Sequence, residues 1–280
     1  MKHRYRKLKL NKTYVEKKRG KSVFNQTDSS SPDYIRADEA LFLLGLARSR
    51  SHGADLVRRS LVKFDNRPVL RPSKTIDKNH IAKLKLVAGA NSSTVSRAGD
   101  KLSDASEAFK FSFNGKVVLD VGSSTGGFTQ YALNNGAKKV VAVEVGTNQM
   151  VPELRFNEQV ELHEKTDIRD FKTSQKIDVI VIDVSFISLT KILPSLLNLS
   201  KVTNSNPDIL AMAKPQFEGQ ASDLNSGVVK NSAIRRQILK NLEDWLKLNN
   251  LVIKFKRDNQ ISGKKGNQER FYWLTLTKSN

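Results

Sequence analysis

Beyond about residue 117 the apolar positions fall into short, nearly unbroken runs, separated by stretches in which they recur every three or four residues. The runs Val117-Val118-Leu119-Asp120-Val121, Val140-Val141-Ala142-Val143-Glu144-Val145, Val160-Glu161-Leu162-His163, Val179-Ile180-Val181-Ile182-Asp183, Ile209-Leu210-Ala211-Met212-Ala213-Lys214 and Phe271 to Leu276 read as strands. Helices are predicted from Phe128 to Leu133, around Leu189 to Leu199, and from Ala233 to Leu248, where Ile234, Ile238, Leu242, Trp245 and Leu246 keep helical spacing. Strands apolar on both faces, alternating with helices, predict a parallel sheet covered on both sides: an α/β, Rossmann-like domain. In such sheets ligands sit beyond the carboxyl ends of the strands.

The N-terminal third is patterned differently. Ile35, Leu41, Phe42, Leu44 and Leu46 fit a helix that Gly45 helps to end. Ser49 or Ser51 can cap a second helix, with Ala54, Leu56 and Val57 inward and Arg58 and Arg59 at its end. Leu61 to Phe64 and Arg67 to Leu70, joined by Asp65-Asn66, read as a tight hairpin, since Asn66 tolerates positive φ. Residues 34–86 are therefore expected to form a small α+β unit. Residues 87–93 are expected to be a linker, and 94–280 the larger domain. Residues 1–33 are too polar and basic to bury a core and are expected to be a disordered arm.

Charge sharpens this division. The 280-residue chain carries a formal charge of +20. Residues 1–21 hold ten Lys/Arg against one acid, Glu16, whereas everything beyond residue 85 is close to balanced. A basic arm ahead of a basic small unit points to a polyanion, most simply nucleic acid. Within the small unit Arg36, Arg48, Arg50, Arg58, Arg59 and Lys63, with Arg97 just beyond it, are the candidate phosphate contacts. There is no cysteine, so disulfides, thiolate metal sites and a cysteine nucleophile are excluded. No apolar stretch approaches the roughly 20 residues that span a bilayer, and no apolar segment follows the N-terminal charges as in a signal peptide. A cytoplasmic protein with no membrane partner and no metal is the expectation.

The chemistry gathers around one turn. Asp120-Val121-Gly122-Ser123-Ser124-Thr125-Gly126-Gly127-Phe128 runs from a strand into a helix, the arrangement that holds a nucleotide-like group. Its glycine spacing matches neither the dinucleotide fingerprint nor a phosphate loop. Glu144, at the end of the next strand, is placed to take two ribose hydroxyls; alone it is equally a solvated strand end. Asp167 and Ile168, after the third strand, could hold an adenine. A nucleoside without a pyrophosphate fits this set, and S-adenosylmethionine is the expected cofactor.

Four further groups lie at strand ends or helix starts: Lys101, Asp183, Lys214 and Glu269. A ribose hydroxyl is a weak nucleophile that needs a base aligned with its electrophile. Lys214, following a buried strand, is the candidate base; Lys101 could orient the ribose, and Asp183 and Glu269 could hold the two lysines. Any one of them alone is equally a solvated residue. An RNA 2′-O-methyltransferase is expected; a non-catalytic RNA-binding or ribosome-assembly factor that keeps the fold is the alternative.

Two resemblances bear on this. Arg36-Ala37-Asp38-Glu39-Ala40-Leu41, Gly45-Leu46-Ala47-Arg48-Ser49-Arg50 and Leu61-Val62 resemble the S-four RNA-binding domain. Val95-Ser96-Arg97, the Asp120–Thr129 turn, Ile182-Asp183-Val184-Ser185-Phe186-Ile187-Ser188-Leu189, Lys214-Pro215-Gln216-Phe217-Glu218 and Gly266-Asn267-Gln268-Glu269 resemble the TlyA family, which joins that domain to an FtsJ-like methyltransferase domain. The resemblance implies S-adenosylmethionine-dependent 2′-O-methylation of cytidine in ribosomal RNA or ribosomal subunits. It makes Lys214 the base, assisted by Lys101, Asp183 and Glu269. Where the family usually reads Ser-Arg-Gly-Gly-Leu-Lys, this chain has Ser96-Arg97-Ala98-Gly99-Asp100-Lys101, so Asp100 is expected to pair with Lys101 and weaken its electrostatic role. Members are often labelled haemolysins, but this sequence contains nothing that would build a pore.

Overall fold

A computed structural model describes residues 33–47, 49–87, 95–260, 263 and 266–277. The expected arm up to residue 32, Arg48 and nearly all of the expected linker fall outside the described residues.

The small unit runs β1 (Tyr34–Arg36), α1 (Ala37–Leu43), α2 (Arg50–Arg58), β2 (Val62–Phe64), β3 (Arg67–Pro68), β4 (Thr75–Asp77) and β5 (Leu84–Leu86). Ser49 caps α2 by accepting the His52 N–H, and Ala54, Leu56 and Val57 point inward as their spacing requires. The β2–β3 hairpin turns on Asp65 and Asn66, with φ of 52° and 63°. Two consecutive left-handed residues match the right-handed twist of the flanking strands. Ile35 does not belong to the first helix. It lies in β1, paired with Ile76 of β4, and the helix starts two residues later. Strands β4 and β5 have no counterpart in the sequence reading. Each is three residues long with one buried side chain, Ile76 or Leu84, so no alternation could develop. These two residues close a core over Leu41, Leu56, Val57 and Val62.

The larger unit begins with α3 (Arg97–Phe109), then β6 (Val117–Val121), α4 (Gly127–Asn134), β7 (Lys139–Val143), α5 (Pro152–Arg155), β8 (Val160–His163), β9 (Val179–Ile182), α6 (Leu189–Val202), β10 (Asp208–Ala213), α7 (Pro215–Glu218), α8 (Ser232–Leu248), β11 (Leu251–Asp258) and β12 (Arg270–Leu276). Seven strands form one sheet in the order β11-β12-β10-β9-β6-β7-β8. Residues alternate between its faces. Leu119, Val141, Ile180, Ile209 and Tyr272 pack under α6 and α8; Val118, Val140, Val181, Leu210 and Phe271 pack under α3 and α4.

Strands β6 to β10 are parallel, as expected. The last strand corrects that expectation, because β12 runs antiparallel to both β10 and β11. Only eleven residues, 259–269, join β11 to β12, too short a link for a helical crossover between parallel neighbours. β11 itself is absent from the sequence reading. It is an edge strand with only Leu251 buried and Lys254, Lys256 and Arg257 along it, a composition suited to an unpaired edge.

The chain reverses its winding at β6, which has β7 on one side and β9 on the other. The carboxyl ends of β6 and β9 therefore open a crevice. The small unit sits over it through two reciprocal ion pairs with the first turn of α3. Arg59 of the small unit grips Asp100 (3.0 and 3.1 Å), and Arg97 reaches Asp55 (2.8 Å). Asp100 thus pairs with Arg59, not with Lys101, which corrects the expected pairing.

Reversing one member, as in Arg59→Asp, is expected to destabilise the protein, and adding Asp100→Arg to restore part of the loss. Urea melts of the two single variants and the double should give a coupling energy of roughly 0.5–3 kcal/mol; strictly additive effects would show that the pair does not hold the junction.

Candidate active site

The β6–α4 turn is built around glycine. Gly122 has φ of 83°, and a Cβ there would stand 2.8 Å from the carbonyl oxygen of Asp183 at the end of β9. No L side chain fits that approach. A Cβ on Gly127 would collide with Ser96 Oγ at 2.3 Å. The turn keeps backbone and small side chains facing a cavity of about 1500 Å³, lined by Gly122, Ser123, Ser124, Thr125, Gly127 and Phe128 on this side. Ser123 Oγ is buried without a hydrogen-bond partner.

Asp120, expected to touch a cofactor, lies beneath the turn instead. It is fully buried and its carboxylate accepts the Thr129 hydroxyl at 2.6 Å. Burial, opposed by the Thr129 bond but helped by the nearby Asp183 and Glu144 charges, pushes its carboxyl up to about 7. Glu144 is buried at the end of β7. It accepts the backbone N–H groups of Ser124 and Gly146 at 2.9 and 2.8 Å, and Gln149 Nε2 at 3.3 Å. Gln149, with Asn148, Met150 and Val151, lines the cavity where Glu144 does not. The sequence reading missed this loop, which has no periodicity and only one left-handed residue, Asn148, to mark it. Asp167 is forked by Arg169 at 2.6 and 3.0 Å, which holds its carboxyl below the usual range. Ile168 packs into the core. Neither lines the cavity in this structure.

The four candidate catalytic groups do converge on the cavity. Lys214, just beyond β10, places Nζ 2.7 Å from Asp183 Oδ1 and donates to Ser185 Oγ at 2.9 Å. Lys101, on the first turns of α3, makes a short bond to Glu269 Oε2. Both members of that pair are buried. Glu269 also accepts from Asn259 Nδ2 at 3.4 Å, and Asn259 is itself buried against Met212.

Two loops bring these pairs together, and Glu218 at the end of α7 ties them. Its carboxylate accepts the Ser188 hydroxyl at 2.5 Å and the Leu189 N–H at 3.0 Å. It therefore caps α6 and locks the Asp183–Ser188 loop against the Lys214–Glu218 turn; burial raises its pKa. Phe186 stands at the mouth of the cavity, 90% exposed with φ of 68°, and its ring centroid is 5.2 Å from that of Phe217. A large apolar side chain held outward in a strained conformation has no packing reason to be there. Its place in the motif was legible, its exposure was not.

The basic candidates divide. Arg59 and Arg97 are committed to the junction, with side chains only 15% and 16% exposed, so their acid partners have already taken the charge assigned to phosphates. Arg36 pairs with Asp38, which Arg50 also approaches at 3.6 Å. Arg50 and Arg58 line the cavity from the small unit, and Lys63 is exposed.

Residues 94–276 match the FtsJ-like methyltransferase family. The 16S/23S rRNA (cytidine-2′-O)-methyltransferase TlyA of Mycobacterium tuberculosis is 35% identical over 244 residues, which cover 85% of this chain and 89% of that protein. The 23S rRNA (cytidine-2′-O)-methyltransferase TlyA of Campylobacter jejuni is 40% identical over 64% of this chain and 70% of its own. A solved Streptococcus thermophilus structure carrying the hemolysin name superposes with a TM-score of 0.67 at 33% identity, covering 89% of this chain and 90% of that one. Among the described residues no helix is long and apolar enough to cross a membrane, and no three His, Cys, Asp or Glu side chains group as metal ligands would.

The Asp120 site predicts a pH dependence. Its carboxyl rises from 3.8 to about 7 on folding, so the folded protein binds this proton more tightly than the unfolded chain. That stabilising contribution is complete below about pH 4 and is lost as pH rises through about 7. Asp120→Asn keeps an acceptor for Thr129 and removes the titration. Compared by urea melts, wild-type stability should fall relative to the variant across that window, by up to about 1.4 kcal/mol per pH unit; parallel profiles would contradict the assignment.

Proposed function

Because the chain belongs to the FtsJ-like methyltransferase family and, within it, to the TlyA family, we propose that it methylates the ribose 2′-hydroxyl of a cytidine in ribosomal RNA. The observation that carries this reading is the pair of lysine–carboxylate contacts, Lys214–Asp183 and Lys101–Glu269, lining one cavity with the Gly122 turn. S-adenosylmethionine, when bound, supplies an electrophilic methyl group. Gly122 to Phe128, with Ser123 Oγ as a buried group awaiting a partner, would hold it, and Gln149, itself held by Glu144, would meet its ribose.

The chain's own residues then act on the RNA. The ribose hydroxyl enters between the two lysines. Lys214 would take the hydroxyl proton, and Asp183, 2.7 Å away, would stabilise the resulting ammonium. Lys101, held by Glu269, faces the oxygen as negative charge develops. Asn259 keeps Glu269 aimed at Lys101. The exposed Phe186, backed by Phe217, offers the target base a face on which to stack once it leaves its helix. Residues 34–86 serve as an S-four-like RNA-binding domain, with Arg50 and Arg58 facing the same cavity; residues 1–33 add phosphate contacts, and 87–93 join the two. A ribosomal RNA substrate supports a cytoplasmic location.

Incubation with labelled S-adenosylmethionine and unmodified ribosomal subunits should put label into alkali-resistant dinucleotides. Lys214→Ala should lower that rate by roughly 10²–10⁴-fold while cofactor binding persists; transfer at the wild-type rate would remove Lys214 from the mechanism. Removing residues 1–33 should flatten the salt dependence of RNA binding, since each lost phosphate contact releases fewer counterions; an unchanged slope would leave the arm without this role.

A further inference from the structure

The base side of the cavity contains a polar group that the mechanism leaves unused. Gln216 lies on α7 between Pro215 and Phe217, two residues beyond Lys214, and its side chain lines the cavity with Phe186 and Phe217. Its Oε1 is sealed from solvent and meets no hydrogen-bond donor. A buried acceptor left unpaired costs about 1–3 kcal/mol. Two other cavity-lining atoms share this condition by the same criteria, and each has an explanation. Asp183 Oδ1 lies 2.7 Å from Lys214 Nζ, and Ser123 Oγ belongs to the cofactor turn. Gln216 has neither a cation beside it nor a place in that turn.

Its position defines what could satisfy it. The neighbouring ring pair gives a base a stacking face, and Lys214 fixes the ribose. Gln216 lines the same cavity as both, so its amide is a candidate to meet the base edge. The terminal torsion of glutamine is broad and nearly two-fold, so a half-turn exchanges Oε1 and Nε2 at little cost. An amide can accept from an exocyclic amine and donate to the adjacent ring nitrogen in one bidentate contact, the pattern presented by the N4 and N3 edge of cytosine.

We propose that Gln216 reads the Watson–Crick edge of the extruded target base, accepting a hydrogen bond from its exocyclic amine. The proposal rests on the ribose-methylation reading above and adds a specificity-determining residue to it.

The test is a double-mutant cycle between enzyme and RNA. Wild-type protein and the near-isosteric Gln216→Met are each assayed for methyl transfer on ribosomal RNA carrying either cytidine or its 4-deamino analogue, a 2-pyrimidinone riboside, at the methylated position. Wild-type kcat/KM should drop roughly tenfold to a hundredfold when the amine is removed, whereas Gln216→Met should hardly distinguish the two RNAs. Cofactor binding and Tm serve as fold controls, and Gln216→Asn, too short to reach, should behave like the Met variant if the latter folds poorly. Equal discrimination by wild type and variants, or none by wild type, overturns the proposal while ribose methylation stands. No ribose label from wild type on the cytidine RNA overturns both.

Discussion

The buried contact between Lys101 and Glu269 is the constraint around which the site is arranged. The two residues are 168 positions apart, and each is almost fully buried. Taking either charge out of water without the other costs about 3–5 kcal/mol, so α3 and the start of β12 must arrive together. That meeting requires β12 to enter the sheet beside β10 from the opposite direction, bringing Glu269 to the end where β6, β9 and β10 deliver Gly122, Asp183 and Lys214. The hairpin link from β11 makes this reversal possible, and buried Asn259, on that link, bonds Glu269 directly. The same first turns of α3 carry Arg97 and Asp100 outward to the small unit. One helix therefore serves both the Lys101–Glu269 pair and the junction, and the position of the small unit over the cavity is tied to the position of Lys101.

The opposite wall obeys a different constraint, close backbone approach. Gly122 lies so near the Asp183 carbonyl that the β6–α4 turn and the Asp183–Ser188 loop form one surface. Glu218 then clamps that loop to the Lys214 turn by capping α6. A rigid seat of this kind suits a reaction in which alignment, more than a strong acid or base, determines the rate.

The core of the fold was legible because strands buried on both faces are apolar without interruption, so β6, β7, β9 and β10 stand out in the sequence. Two of the four candidate groups, Asp183 and Lys214, stood out for a related reason: they directly follow such strands. What escaped notice followed physical lines. β11 is an edge and carries charges, so it has no apolar signature. The direction of β12 depends on the length of its link to β11, not on its own residues. α3 has apolar residues at helical spacing, Ala98, Leu102, Ala105 and Phe109, but two are alanines and Gly99 and Asp100 dilute the pattern. Asp100 looked like a partner for its neighbour Lys101, yet adjacent helix residues diverge and its partner is Arg59, 41 positions away. Asp120, Glu144 and Asp167 were expected to face a cofactor, and none of them lines the cavity. Whether such an acid faces a ligand or its own backbone depends on loops such as 145–152, which carry no pattern to read.

The most direct test of the account is a nucleotide-resolution map of 2′-O-methylation in ribosomal RNA from cells that carry this protein and from cells that lack it. The account predicts that one or a few cytidines lose their ribose methyl group when the protein is missing and regain it when the gene is restored. Identical maps, with the protein expressed and able to bind S-adenosylmethionine, would contradict it.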